Sequence, residues 1–295
     1  MLINCIKTFP DFFEWCYKLE LLLPNKYVFR GQPSGTLTSS FERAIKKVSC
    51  NNWGDIEQKI ILEFKRRAHH YLLNIPKDDS HLEWLALMQH YGCPTRLLDF
   101  TKSFFIGLFF AIDGADSNTV LWAVDTTKFK KMTIFKEHLL SSYNEESEKK
   151  VNELLGHAAE KEDEPNIILV EPFRMNERIS IQQGAFLFPM NLYKSFEENI
   201  FTPLGGVNNY EDFEKQQKND ISLLKIIIPK ELHTEIAYWL SAMNITAKTL
   251  FPGLEGFARS QITHIKSAEY GEKKIRAILV EAFKQFANKE SSNVK

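Results

Sequence analysis

A chain of 295 residues that is 44% hydrophobic and 25% charged has ordinary globular usage. This excludes an intrinsically disordered chain and allows a sizeable core in one large domain or one domain with a small companion. The 37 basic and 38 acidic residues nearly cancel, which excludes the strong positive field of a nonspecific nucleic-acid or membrane-surface binder but not a local basic groove. Cys5, Cys16, Cys50 and Cys93 match neither a zinc spacing nor a disulfide framework, so reduced thiols in a cytoplasmic protein are expected. Asp11 and Glu14 stand where a secretory signal would be apolar, and the longest apolar run, Phe104 to Ile112, is half of a membrane span.

Periodicity and punctuation predict a mixture of helices and strands. Thr8 with Asp11 reads as a cap, followed by Phe12, Phe13, Cys16, Leu19 and Leu23 at roughly helical spacing up to Pro24. Tyr27 to Phe29 reads as a short apolar strand that runs into Arg30, Gly31 and Gln32. Ile56, Ile60, Phe64, Ala68 and Tyr71 form a helical stripe opened by Asp55, and Ser80 with Glu83 reads as a capping box for the next helix.

Gly92 and Pro94 end that helix, and Thr95 to Phe100 reads as short and irregular. Thr101 or Ser103 then caps Phe104 to Ile112, which is apolar all round and therefore a buried helix. Polar residues just before such a helix face a ready-made anion site. Val120 to Val124, Ile167 to Val170, Ala185 to Phe188 and Ser222 to Ile228 read as strands. Asn144 to Glu164 is strongly acidic and reads as a solvated helical insertion. Pro229 to Met243 and Gly271 to Ala287 supply late helices, so the expected class is α+β with few βαβ crossovers.

Phosphate loops, dinucleotide glycine fingerprints, nucleophile elbows and HExxH motifs are missing. Three clusters carry the remaining chemistry. In the first, Arg30 closes an apolar strand directly before Gly31 and Gln32; two readings stand open, an interior ion pair with Glu42 or Glu57, or a guanidinium presented to a phosphate. The second, Gln89 to Thr101, packs Gln89, His90, Thr95, Arg96 and Asp99 between a helix end and a buried helix, as a site or as a bonded turn. The third, Arg178 to Phe186, sets Gln182 and Gln183 before a strand. The other histidines have no Cys or acidic partner at a ligand spacing, so no metal is expected. Trp84, Trp122 and Trp239 lie in apolar stripes and are expected in the core.

On these clusters the sequence resembles the FRG-domain family, whose Phe-Arg-Gly triplet is here Phe29-Arg30-Gly31. The Gln89 to Thr101 block, the Phe109 to Ala111 helix, Arg178 to Phe186, and Thr249 to Gly256 as a closing motif extend the resemblance over roughly 25–265. An N-terminal helix (1–24), an acidic helical insertion at about 136–165 and a C-terminal helix (266–295) would complete the chain. The order of the motifs is in turn similar to the three-part NAD site of Arg-Ser-Glu ADP-ribosyltransferases.

That similarity implies a mixed β-sheet core surrounded by helices. It also implies a mono-ADP-ribosyltransferase-like enzyme or NAD glycohydrolase using NAD as substrate, of a kind that would suit a bacterial toxin or antiviral effector. Arg30, Gly31, Gln32, Gln89, Thr95, Arg96 and Gln183 would then bind the nucleotide. His90, Asp99, Thr101 and Gln182 would act in catalysis, with a protein, a nucleic acid or water as acceptor. Gln182 or Gln183 stands where the transferases carry glutamate; a neutral amide stabilises a developing oxocarbenium less well than a carboxylate. Two alternatives remain: a noncatalytic nucleotide-binding or interaction module, and a nucleic-acid-processing enzyme in which Arg30, His90, Arg96 and Asp99 meet a phosphodiester.

Overall fold

The computed structural model describes residues 8–21, 25–33, 35–49, 51–129, 149, 152–153, 164–172, 174–216, 221–262, 265 and 271–272. Most of the acidic segment 144–164 and of the late helix 271–287 lies outside them.

Six strands form one open sheet: β1 (Tyr27–Gln32), β2 (Leu98–Thr101), β3 (Thr119–Asp125), β4 (Ile167–Val170), β5 (Gly184–Pro189) and β6 (Leu223–Ile228). Their order is β4-β5-β2-β1-β3-β6. Every pairing among the described residues is antiparallel, so the sheet is not the mixed one that the transferase similarity implied, while the α+β class holds. β2 falls where an irregular segment was expected. Its four residues are too few to show alternation, and they extend because β5 pairs with all of them, Leu98 opposite Leu187 through Thr101 opposite Gly184.

Helices cover both faces. On one face, Tyr27 and Phe29 of β1, Leu121 and Ala123 of β3 and Leu224, Ile226 and Ile228 of β6 bury against α1 (Phe9–Cys16), α5 (Phe104–Ile112) and α9 (His233–Ala242). The N-terminal helix belongs to this core through Phe12, Cys16 and a π-helical continuation, Tyr17–Leu21, that buries Leu19. At the other end of the same face, Ile168, Val170, Phe186 and Phe188 bury against α3 (Trp53–Ala68) and α4 (His81–His90). The opposite face packs Val28, Leu98, Trp122 and Leu187 against α7 (Phe196–Gly205) and α8 (Tyr210–Gln216). Three short α-helices, α2 (Ser40–Ile45), α6 (Glu177–Ile181) and α10 (Ala247–Leu250), and a 3-10 turn, Lys230–Leu232, complete the described elements.

Two terminal signals resolve differently from each other. The Thr8 backbone N–H donates to the Asp11 carboxylate at 2.8 Å, as the cap predicts. The Ser80–Glu83 capping box does not form: Ser80 makes no side-chain cap bond. Glu83 instead accepts from the Arg174 backbone N–H, 91 residues along the chain, a tertiary partner that local spacing does not encode. The buried helix α5 is placed as predicted, with Ser103 as its cap.

Candidate functional site

The sheet is splayed between its two central strands. β1 pairs with β3 at six positions and β2 with β5 at four, yet among the described residues β1 and β2 pair only at Phe29 opposite Thr101. Beyond that pair the strands part. A cleft of about 300 Å³ opens there, lined by Phe29, Arg30 and Gly31 on one side and Asp99, Phe100 and Thr101 on the other. The end of α4 contributes Gln89 and His90, α5 contributes Phe110, and the α6–β5 segment contributes Arg178 and Gln182.

Gly31 permits this arrangement. A Cβ there would collide with the carbonyl oxygen of Gly107 and the amide of Ala111, so only glycine lets β1 lie directly on α5. By alternation Arg30 shares the face of Val28, but beside the gap its guanidinium turns inward and Nη1 donates to the Asp99 carbonyl at 2.7 Å. Nε donates to Gln32 Oε1 at 2.9 Å, and Gln32 is anchored in turn by its bond to the Thr36 carbonyl at 2.8 Å. Neither Glu42 nor Glu57 pairs with Arg30: Glu42 holds Lys46 and Glu57 holds Arg96. Of the two readings left open by the sequence, the pair with Glu42 or Glu57 is therefore not formed, and the carboxylate that faces Arg30 is that of Asp99. Burial lowers the Arg30 pKa, Asp99 opposes the change, and Arg43 adds to it.

Asp99 accepts from Gln89 Nε2 at 2.9 Å, and its carboxylate lies 3.9 Å from Arg30 Nη1 with more than half of the side chain exposed. Gln89 is itself oriented by the Thr95 hydroxyl at 2.5 Å. Thr101 donates to the Gln182 carbonyl at 2.7 Å and accepts from the Ser103 backbone N–H at 3.1 Å, tying β2 to α6 and to the start of α5. The Gln182 side chain donates from Nε2 to the Leu250 carbonyl at 2.9 Å, which fixes the orientation of its amide. His90 is pulled below its ordinary value by burial and then by the positive charge of Arg178, so its imidazole favours the neutral form.

Seven of the eleven residues expected in the site thus line one cleft: Arg30, Gly31, Gln89, His90, Asp99, Thr101 and Gln182. Four do not. Gln32 and Thr95 are buried behind the cleft and orient Arg30 and Gln89. Arg96 is buried in a bidentate pair with Glu57, over the ring of Phe188, and so does not reach a ligand. Gln183 takes φ of 47° at the α6–β5 turn, where its carbonyl accepts from the Lys102 N–H at 2.9 Å. The first turn of α5, an expected anion site, is not part of the cleft; its Ile106 N–H is satisfied by Ser103 Oγ.

Arg178 opens the third cluster but was assigned no role at the site from the sequence, and it lines the cleft. The signal is its place in the chain, at the head of the cluster that also carries Gln182. Among the described residues no group of three His, Cys, Asp or Glu is placed to hold a metal ion, and no helix is long and apolar enough to cross a membrane. Cys16 and Cys93 are free thiols.

A glycine-dependent strand–helix contact, a strand-borne arginine and a polar block thus meet in one cleft of an α+β protein. Residues 25–119 match the family model of the FRG domain. That match ends at the start of β3, whereas the cleft also draws on residues 178–186. No curated protein and no solved structure matches the chain.

Proposed function

We propose that the cleft is an NAD site and that the protein is a mono-ADP-ribosyltransferase-like enzyme, or an NAD glycohydrolase where water is the acceptor. The supporting observation is the convergence of three motifs, distant in sequence, on one cleft around the Arg30 guanidinium. Arg30, pre-oriented by Gln32 and the Asp99 carbonyl, is suited to a phosphate oxygen because its planar fork is already fixed. The volume, about 300 Å³, is at the lower end for small-molecule pockets.

In the reaction, the bond from ribose C1′ to the nicotinamide nitrogen breaks, and its electron pair leaves with nicotinamide. C1′ gains positive character, and Asp99 is the one carboxylate among the described lining residues that can stabilise it. An acceptor hydroxyl or water then bonds to C1′ and gives up its proton to neutral His90 or to Asp99. Gln182, where transferases carry glutamate, favours a second reading, a nucleotide-binding module without turnover. The nucleic-acid-processing reading loses Arg96, which is buried against Glu57.

Free nicotinamide followed by NMR on adding NAD tests the proposal. Release by the wild type, lost in folded Arg30→Ala and reduced at least about tenfold in Asp99→Asn, is expected. A melting-temperature increase with NAD but no release selects the binding module. Neither effect overturns both readings.

A further inference from the structure

Arg178 stands in the wall of the cleft opposite the β1 side and is only half-buried. Its guanidinium lies 4.7 Å from the centre of the Phe251 ring. Arg259 packs against the same ring at 4.0 Å, but Arg259 is neutralised by Asp113 and Glu255. Beyond this ring contact, the Arg178 side chain makes no ion pair and no hydrogen bond among the described residues. Stacking occupies the face of a guanidinium and leaves its N–H edge available, the edge that binds planar or tetrahedral anions. An uncompensated cation on a partly desolvated wall is costly unless an anion joins it. Its charge is felt inside the cleft, since it lowers the proton affinity of His90.

Among the described residues, the charges of the lining amount to two guanidinium groups, Arg30 and Arg178, against the carboxylate of Asp99. That carboxylate is already engaged by Gln89 and Arg30. We infer that Arg178 is a second anion ligand, so that the cleft takes ligands with two linked phosphates, one held by Arg30 and one by Arg178. Phe251 is the positioning residue: it supports the guanidinium of Arg178, while the neighbouring Leu250 carbonyl fixes Gln182. This gives the closing motif Thr249 to Gly256 a role at the site. The inference rests on the nucleotide reading and adds to it the residue that holds the second phosphate.

The test is calorimetric titration at low ionic strength with inorganic pyrophosphate, orthophosphate, ADP-ribose and AMP, on the wild type, Arg178→Gln and Arg178→Lys. Each variant is first shown to melt cooperatively. Pyrophosphate and ADP-ribose are expected to bind the wild type about tenfold or more tighter than orthophosphate and AMP. Arg178→Gln should remove that advantage while leaving AMP within about twofold, and Arg178→Lys should restore part of it. Equal binding of AMP and ADP-ribose by the wild type, or an unchanged ADP-ribose affinity in Arg178→Gln, overturns the inference. Pyrophosphate bound through Arg178 with no response to NAD keeps the diphosphate site and removes the NAD reading. NAD binding that is indifferent to Arg178 does the reverse, and no binding of any phosphate ligand removes both.

Discussion

Arg96 and Glu57 form a buried bidentate ion pair between the loop entering β2 and helix α3, with side chains 2% and 4% exposed. The pair holds α3 to the segment that carries Gln89, Thr95 and Asp99, so it supports the site without touching a ligand. Removing either partner deprives the other buried charge of this ion pair. Arg96→Met and Glu57→Leu are each expected to cost roughly 3–5 kcal/mol of folding stability. The double variant should cost clearly less than the sum, and equilibrium unfolding in urea measures both quantities. Additive losses would show that the two groups are not coupled.

Gly31 is expected to tolerate no side chain. A methyl group there meets the backbone of α5 on two sides, and rigid backbone cannot yield as a flexible side chain does. Gly31→Ala should therefore destabilise by roughly 3 kcal/mol or more, at the upper end for overpacking, or abolish soluble yield. Gly107→Ala, whose Cβ would stand 2.8 Å from that of Phe29, should behave similarly. Thermal melting of the two proteins checks this.

Gln32 separates positioning from charge. Gln32→Leu leaves the Arg30 Nε–H and the Thr36 carbonyl without the partner each now has in Gln32, an expected cost of about 1–3 kcal/mol, with weaker ligand binding. Gln32→Glu keeps an acceptor at the same place but adds a negative charge beside Arg30. The expectation is a folded protein with still weaker binding of anionic ligands, read by titration with ADP-ribose. Equal or tighter binding by Gln32→Glu would show that Arg30 does not meet the anion.

His90 gives a pH signature. Burial, then Arg178, sets its folded pKa below the ordinary 6.5. The unfolded chain therefore takes up this proton first as pH falls. The His90 contribution to stability is unaffected well above 6.5 and is lost as pH drops below it, until the folded form is protonated as well. His81 acts in the same direction, through burial and then Lys65. Arg178→Gln should move the His90 NMR titration midpoint upward while leaving that of His81 unchanged. A midpoint for His90 that does not respond would place Arg178 too far away to act in the cleft.

Much of this arrangement is legible from local pattern. The runs at 120–124, 167–170, 185–188 and 222–228 become strands because β-branched and aromatic residues cluster between Asp, Asn, Gly and Pro, and α5 is placed by an apolar run with a Ser cap. The motif residues identified seven lining groups of the cleft. The short helices α2, α6 and α10, of four to six residues, were missed because one turn or so carries no readable period.

What the sequence by itself determined was which segments are extended or helical and which residues have the chemistry of a site, since backbone propensity and side-chain type are local properties. The tertiary structure alone decided which arginine does what. Arg30, Arg96 and Arg178 are equally cationic in sequence. Packing sends Arg96 to Glu57 in the interior, turns Arg30 into the gap between β1 and β2, and stacks Arg178 on Phe251. Ion pairing and desolvation depend on distances through space, and the residues that set those distances lie between 39 and 73 positions apart along the chain.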